Sequence, residues 1–286
     1  MQTKTSWPWT WGARTYVMGI LNVTPDSFSG DGLLRRGAAV EAAVAQARAF
    51  VEAGADILDV GGESTRPGAQ PVPAEEEAAR VVPVVAALKR AFPQVLISVD
   101  TSKAAVAERA LDAGAGMVND VWGLRADPRM AAVVARYRVP VVLMHNRAAR
   151  PQVQERLGGR YVAVAYEDVV ADVRRELLQS VALAHRAGIP DSHIILDPGI
   201  GFGKTVEQNL ALVRRLREIR TLGYPVLLGV SRKSFIGYTL DLPPEERLEG
   251  TAAAVAIGIA HGADIVRVHD VAFMVRVARM ADAIVR

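Results

Sequence analysis

The residues able to do chemistry in this 286-residue chain recur at one kind of place, the end of a short apolar run. Asn22, Asp100, Asn119, Asp197, Lys233, Arg267 and His269 each close or follow such a run, as do Asp120 and His145. Arg267 and His269 are two residues apart, so on a strand their side chains share a face. A guanidinium and an imidazole pointing together, beside the N–H groups of a helix starting at Asp270–Val271, make an anion site. Asn22 adds a neutral oxygen suited to a hard cation such as Mg2+, which often rides on a diphosphate. Asp100, Asn119 and Asp197 form the opposite surface, rich in acceptors, with Lys233 across from them. Buried carboxylates are costly unless donors match them. An amino-pyrimidinone edge offers adjacent N–H donors that one carboxylate accepts as a pair, while Lys233 and Asn119 serve its carbonyl and ring nitrogens. Arg267 is able to stack its planar guanidinium on such a ring.

Taken singly, these residues have ordinary readings. Asp100 and Asp120 could be helix caps, Gly61, Gly62, Gly199 and Gly201 plain turn glycines, and Ser231–Ser234 a solvated loop. His185, His193 and His261 lie in or beside helices and go to surface or packing roles. Joint placement favours a site. The apolar runs are Tyr16–Leu21, Ile57–Val60, Val95–Val99, Met117–Val118, Val139–Met144, Ile194–Leu196, Val226–Val230 and Ile265–Val268. Between them lie Ala-rich stretches of helical spacing, about 37–53, 75–91, 102–113, 128–137, 163–187, 205–222, 246–261 and 271–285. Eight strand-like runs alternating with eight helices predict a parallel sheet closed as a (β/α)8 TIM barrel, a single domain over 1–286. A doubly wound open sheet would carry fewer strands and a Gly-rich turn after the first. In a barrel the strand C-termini carry the chemistry, which is where the polar residues fall.

Local punctuation agrees. Gly54, Gly114, Gly188 and Gly262 each follow a helix, where a left-handed residue is wanted. Asp270 and Thr205 are placed to cap the helices that follow them. Residues 1–15, with Trp7, Trp9 and Trp11, are expected to pack at the barrel bottom. The formal charge is only +3, arginine outnumbers lysine heavily, and no basic stripe with interleaved aromatics occurs, which argues against a nucleic-acid partner. There is no cysteine, so disulfides and thiolate zinc sites are excluded. Neither a leader-like N-terminus nor an apolar stretch of about 20 residues is present, and a cytoplasmic protein without a membrane partner is the expectation.

The acidic end of the site, with Lys233 across from it, suits a pterin or a guanine-like ring. The motifs Asn22-Val-Thr-Pro-Asp-Ser-Phe-Ser29, Gly61-Gly-Glu-Ser-Thr-Arg-Pro-Gly68 and Arg267-Val-His-Asp270 resemble dihydropteroate synthases. Ser98-Val-Asp-Thr101, Asn119-Asp120, Asp197-Pro-Gly-Ile-Gly-Phe202 and Ser231-Arg-Lys233 extend the likeness, in order, from the first strand to the last. The resemblance implies the condensation of 6-hydroxymethyl-7,8-dihydropterin diphosphate with p-aminobenzoate, releasing diphosphate. It further implies Mg2+ on Asn22, and the pterin on Asp100, Asn119, Asp197, Lys233 and Arg267. Asn22, Thr65, Arg267 and His269 would hold the diphosphate. Phe28, Thr65, Arg66, Pro67, Phe202 and Ser234 would shape the p-aminobenzoate pocket, under loops 23–37 and 61–74. Lys233, Arg267 and His269 are implied as the catalytic group, the protein as a homodimer and a sulfonamide target. The chain departs from the family pattern at Ser29-Gly30-Asp31-Gly32 and after Met144-His145, where Asn146-Arg147 stands. A methyltetrahydrofolate-dependent methyltransferase would share Asp100, Asn119 and Asp197 but has no need of the Arg267/His269 anion site. A non-catalytic pterin-binding paralogue would be marked by loss of Asn22, Lys233 or His269, and all three stand.

Overall fold

The computed structural model describes residues 9–23, 34–64, 71–147, 152–154, 160–162 and 165–286, with backbone only for 34–36, 152–154 and 160–162. The strands are β1 (Tyr16–Asn22), β2 (Ile57–Gly61), β3 (Leu96–Asp100), β4 (Met117–Asp120), β5 (Val141–Met144), β6 (Gln152–Gln154), β7 (Arg160–Val162), β8 (Ile194–Asp197), β9 (Leu227–Leu228) and β10 (Ile265–Val268). Eight of them are parallel in the order β8-β5-β4-β3-β2-β1-β10-β9. A bridge between Leu196 and Val226 joins the two ends, so the sheet closes on itself as the expected barrel. The helices are α1 (Leu34–Ala53), α2 (Ala74–Ala91), α3 (Ala104–Asp112), α4 (Met130–Tyr137), α5 (Val169–Arg186), α6 (Val206–Arg214), α7 (Leu216–Arg220), α8 (Ser234–Leu240), α9 (Leu248–Ala260) and α10 (Val271–Val285).

Strands buried on both faces need continuous apolar runs, and β2 and β5 are buried at every position. The helices are held by local chemistry. Glu75, Glu76 and Glu77 open α2 and Lys89 and Arg90 end it, matching the helix dipole. Asp168 caps α5 by accepting the Val170 and Ala171 N–H groups at 2.9 Å, and Thr205 with Gln208 forms a capping box on α6. Gly54, Gly114, Gly188 and Gly262 all take positive φ, as their places after helices require.

The barrel interior is layered. Tyr16, Met18, Ile57, Met117, Val142, Ile195, Leu227 and Ile265 form an apolar floor, with Trp9 and Trp11 packed beneath. Trp9 stacks on Tyr16 with ring centroids 4.6 Å apart; Trp7 and the rest of residues 1–8 lie outside the described residues.

The structure corrects several boundaries. The helix expected over 163–187 spans only Val169–Arg186, and the antiparallel pair β6–β7 precedes it. The 205–222 stretch is two helices, broken at Arg215, whose guanidinium is drawn to Asp168 and Glu218 at 2.7 Å each. An additional helix, α8, precedes α9. Strand β9 keeps only two residues: Pro225 has no N–H to donate, and Gly229 gives the far end little to pack. No helix among the described residues is long and apolar enough to cross a membrane.

Candidate active site

Strand register builds the site above the floor. Asn22 pairs with Gly61, Gly61 with Asp100, and Asp100 with Asn119, so one row crosses four strand ends. Inward positions alternate, which places Asp59 above Ile57, Asn119 above Met117, Asp197 above Ile195 and Arg267 above Ile265. Asn22, Asp100, Asn119, Asp197 and Arg267, singled out in the sequence, are thus gathered at one rim.

A charge network runs through this rim. The Arg267 guanidinium donates from Nε to Asp59 Oδ2 and from Nη2 to Asp100 Oδ2, both at 2.6 Å. Asn119 Nδ2 donates to the same Asp59 oxygen at 3.0 Å. Sequence reasoning missed Asp59 as a site residue. It is fully buried, and its partner lies 208 positions away; an aspartate inside the apolar Ile57–Val60 run was the available signal. Asp59 Oδ1 and its register neighbour Ser98 Oγ are buried without a hydrogen-bond partner among the described residues. Burial lifts Asp100 to about 7 against the pull of Arg267, with Asp59 and Glu77 adding to the rise. Burial also lifts Asp197 to about 6, although the Gly199 N–H donates to its Oδ1 at 2.7 Å. A ligand that donates N–H bonds to these carboxylates would favour their charged form.

Lys233 faces this group. Burial and the neighbouring Arg267 bring its ammonium down to about 8, while Asp197 and Asp100 hold it up. Its Nζ sits 4.1 Å from the ring centroid of the buried Phe202. The loop after β8 is shaped for this contact: Gly199 and Gly201 have φ near +69° and +81°, and a Cβ on Gly199 would lie 1.8 Å from the His145 carbonyl oxygen. Lys204 locks the loop from below, donating to the Gly199 and Phe202 carbonyls at 2.8 and 2.9 Å. Its Nζ also lies 3.1 Å from His145 Nδ1. His145, which ends β5 and invited a functional reading, is therefore not in the mouth. It faces the helix layer, where Nε2 lies 3.0 Å from Glu176 of α5. Arg147 joins Glu176 too and covers Tyr166 at 4.1 Å, so the atypical Asn146-Arg147 segment is anchored to α5.

Cationic groups and a helix end make the other side. His269 is half-buried beside Arg267, and burial with Arg267 and Arg232 nearby lowers its imidazole to about 4, so it is neutral at pH 7. Asp270 holds the cap position of α10 but makes no cap bond, a correction to the sequence expectation. Arg232 takes its carboxylate in a fork, at 3.0 and 2.5 Å. The opening turn of α10 is left without a side-chain cap, as an anion site there requires.

Asn22 is half-buried at the end of β1. Among the described residues no three His, Cys, Asp or Glu side chains cluster as a metal cage. A single amide oxygen, completed by oxygens of a bound diphosphate and water, is a donor set that fits Mg2+. Ser234 opens α8 next to Lys233, whose Nζ lies over the Phe202 ring. Phe28, Asp31, Thr65, Arg66 and Pro67 lie outside the described residues. The stem of the second loop is tied down by Lys103, which ion-pairs Glu63 and Glu77.

Comparison with known proteins adds an independent line. Residues 18–269 match the family model described as pterin binding enzyme. The chain is 50% identical over 276 residues to a dihydropteroate synthase of Clostridium beijerinckii, covering 96% of each. It is 44% identical over 271 residues to that of Escherichia coli, covering 95% of this chain and 92% of the relative. Among solved structures, the dihydropteroate synthase of Clostridium difficile in the presence of pteroic acid superposes with a TM-score of 0.88 at 48% identity, covering 97% and 99% of the two chains. The Xanthomonas albilineans enzyme in complex with 7,8-dihydropteroate gives 0.81 at 42% identity, covering 95% and 94%.

Proposed function

The chain belongs to the pterin-binding enzyme family, and from that premise we propose how its residues carry out the reaction of a dihydropteroate synthase. It is a transferase of folate biosynthesis, condensing 6-hydroxymethyl-7,8-dihydropterin diphosphate with p-aminobenzoate to give 7,8-dihydropteroate and diphosphate. The observation that carries the reading is a single rim: Asn22, Asp100, Asn119 and Asp197 end their strands there, Arg267 and His269 stand at the end of β10, and Lys233 follows β9 at the start of α8, in a chain 50% identical to such an enzyme.

In the proposed division, Asp197 and Asn119 hold the amino-pyrimidinone edge of the pterin, and Lys233 donates to its carbonyl or ring nitrogen. Arg267 is fixed at two of its edges by Asp59 and Asp100, which leaves the guanidinium plane to stack on the ring. His269, Arg267 and the first turn of α10 receive the diphosphate, aided by Thr65. Asn22 would hold Mg2+ on that diphosphate, and the ion would supply charge neutralisation as the carbon–oxygen bond breaks. As the diphosphate departs, the positive charge left on the pterin methylene spreads into the ring, where the Asp100 and Asp197 carboxylates favour it. The neutral aromatic amine of p-aminobenzoate attacks that carbon and then sheds its proton. Phe202 and Ser234, with Phe28, Thr65, Arg66 and Pro67, form its pocket. We further propose a homodimer, supported by the exposed Ile257 of α9 and Met280 and Ile284 of α10, the last two one helical turn apart.

Diphosphate release tests the activity. With both substrates and Mg2+, release should exceed background and depend on p-aminobenzoate. Background-level release under those conditions would leave a pterin-binding module without catalysis.

A further inference from the structure

The contacts between the β9–α8 turn and the residue that follows β10 carry a step that rests on this reading. We propose that Ser231 is a positioning residue for the reaction: it holds His269 as the neutral tautomer that keeps Nδ1 bare and presents Nε2–H to the departing diphosphate. Ser231 is buried in the turn just after β9. Its Oγ accepts the backbone N–H of His269 at 3.2 Å and lies 3.0 Å from His269 Nδ1. The backbone N–H has no alternative role than donor, so the hydroxyl's own hydrogen must find an acceptor. Among the described residues that acceptor is Nδ1. Were Nδ1 protonated, Oγ would receive two N–H bonds and its hydrogen would stay buried and unmatched, a costly state. The imidazole proton therefore sits on Nε2, the ring atom farther from Ser231.

The tautomer matters because the ring is neutral. An imidazolium donates from both nitrogens whatever its neighbours do, but a neutral ring donates from one only. Charge around His269 keeps it neutral. Arg267 of β10, Arg232 and Lys233 of the β9–α8 turn are all cationic, and Asp270, a carboxylate alongside that favours the charged ring, is engaged by Arg232. A neutral N–H donor strengthens its bond as charge accumulates on the leaving oxygen, which favours the transition state over the bound substrate.

The position of Ser231 is itself over-determined. The next residue, Arg232, holds φ at +56°, a left-handed conformation unusual away from glycine. Its N–H donates to Thr251 Oγ1 at 3.0 Å, and its carbonyl accepts from Nη1 of the buried Arg247 at 3.0 Å. Two contacts from the start of α9 thus pin the turn that aims the Ser231 hydroxyl. Neither Thr251 nor Arg247 touches the mouth through these bonds; they act through Ser231.

The test is spectroscopic and kinetic together. In protein labelled with 15N at its five histidines, long-range 1H–15N spectra report each neutral tautomer, and the His269→Ala spectrum identifies the signal. Wild type should show one pure Nε2–H pattern for His269. Ser231→Ala should convert it to an exchange-averaged pattern and lower kcat on the order of tenfold, as a loosened catalytic group does. KM for p-aminobenzoate should stay within about twofold, and Ser231→Thr, which keeps the hydroxyl, should restore both tautomer and rate. An Nδ1–H pattern in wild type, or an unchanged tautomer and kcat in Ser231→Ala, would overturn the proposal. Should Ser231→Ala lose its fold, Ser231→Thr decides: failure to retain the wild-type tautomer and kcat in folded protein sinks the idea. The diphosphate reading fails separately, if His269→Ala leaves affinity for the pterin diphosphate intact while the wild-type tautomer remains pure.

Discussion

The two sides of the barrel mouth solve the same problem, holding charge away from water, in different ways. On the acidic side, Asp59, Asp100, Asn119 and Asp197 come from four separate strands, and Arg267 ties Asp59 to Asp100 through two 2.6 Å bonds. Asp100 and Asp197 stay under-compensated there, which their rise to about 7 and 6 records. On the cationic side, the strand ends are fewer and the devices are turns and a helix start: Ser231 and Arg232 after β9, His269 and Asp270 before α10. There Asp270 is balanced by Arg232, and the imidazole is kept neutral by burial and the cations beside it. The difference teaches what each side awaits. Under-compensated carboxylates await hydrogen-bond donors without net charge, as a heterocycle edge offers; an uncapped helix turn beside neutral and cationic donors awaits an anion.

Changes on the acidic side should have the largest effects on pterin binding. Asp197→Ala removes a buried acceptor of paired donors, and free-pterin affinity should drop by at least about 100-fold, measured by calorimetry. Retention of near-native affinity would remove Asp197 from the pterin side altogether. Proton linkage comes next. Asp100 and Asp197 hold protons in the free protein up to about 7 and 6, but pterin donors need the carboxylates charged. Their folded pKa values lie above the ordinary 3.8, so pterin affinity should fall as pH drops from 7.5 to 5, with proton release on binding at the acid end. Affinity rising toward acid would reverse the sign and contradict the account. A smaller effect is expected of Asp59→Asn, which keeps an acceptor for Arg267 and loses only its charge. Free-pterin affinity should weaken by roughly tenfold, with folding retained. An unaltered titration would mean that Arg267 needs only Asp100.

Much of this was legible in the amino-acid order. Short runs such as Ile57–Val60 and Ile265–Val268 stand out as doubly buried strands, and a polar residue ending each run marks the catalytic rim of a barrel. Spacing of two between Arg267 and His269 was enough to put them on one face. What was not legible depends on contacts across long sequence separations. Asp59 stands in the second strand with no role the order could assign, because its partner Arg267 belongs to the last strand. Nothing in the order marks Lys204, yet it is buried against the Gly199 and Phe202 carbonyls of the β8–α6 turn and His145 Nδ1 from the end of β5. His145 ends a strand like His269 does, but the period-two alternation turns it outward to Glu176. Asp270 has the right residue type and place for a cap; only the approach of Arg232 from another strand end diverts it.

The division of the mouth is tested most directly by one pair of affinities in the His269→Ala protein, those for free 6-hydroxymethylpterin and for its diphosphate with Mg2+. Loss of one charge-responsive donor should weaken diphosphate binding by about tenfold or more while free-pterin affinity stays within about twofold of wild type. Equal losses for the two ligands would contradict the account, because His269 would then belong to both sides.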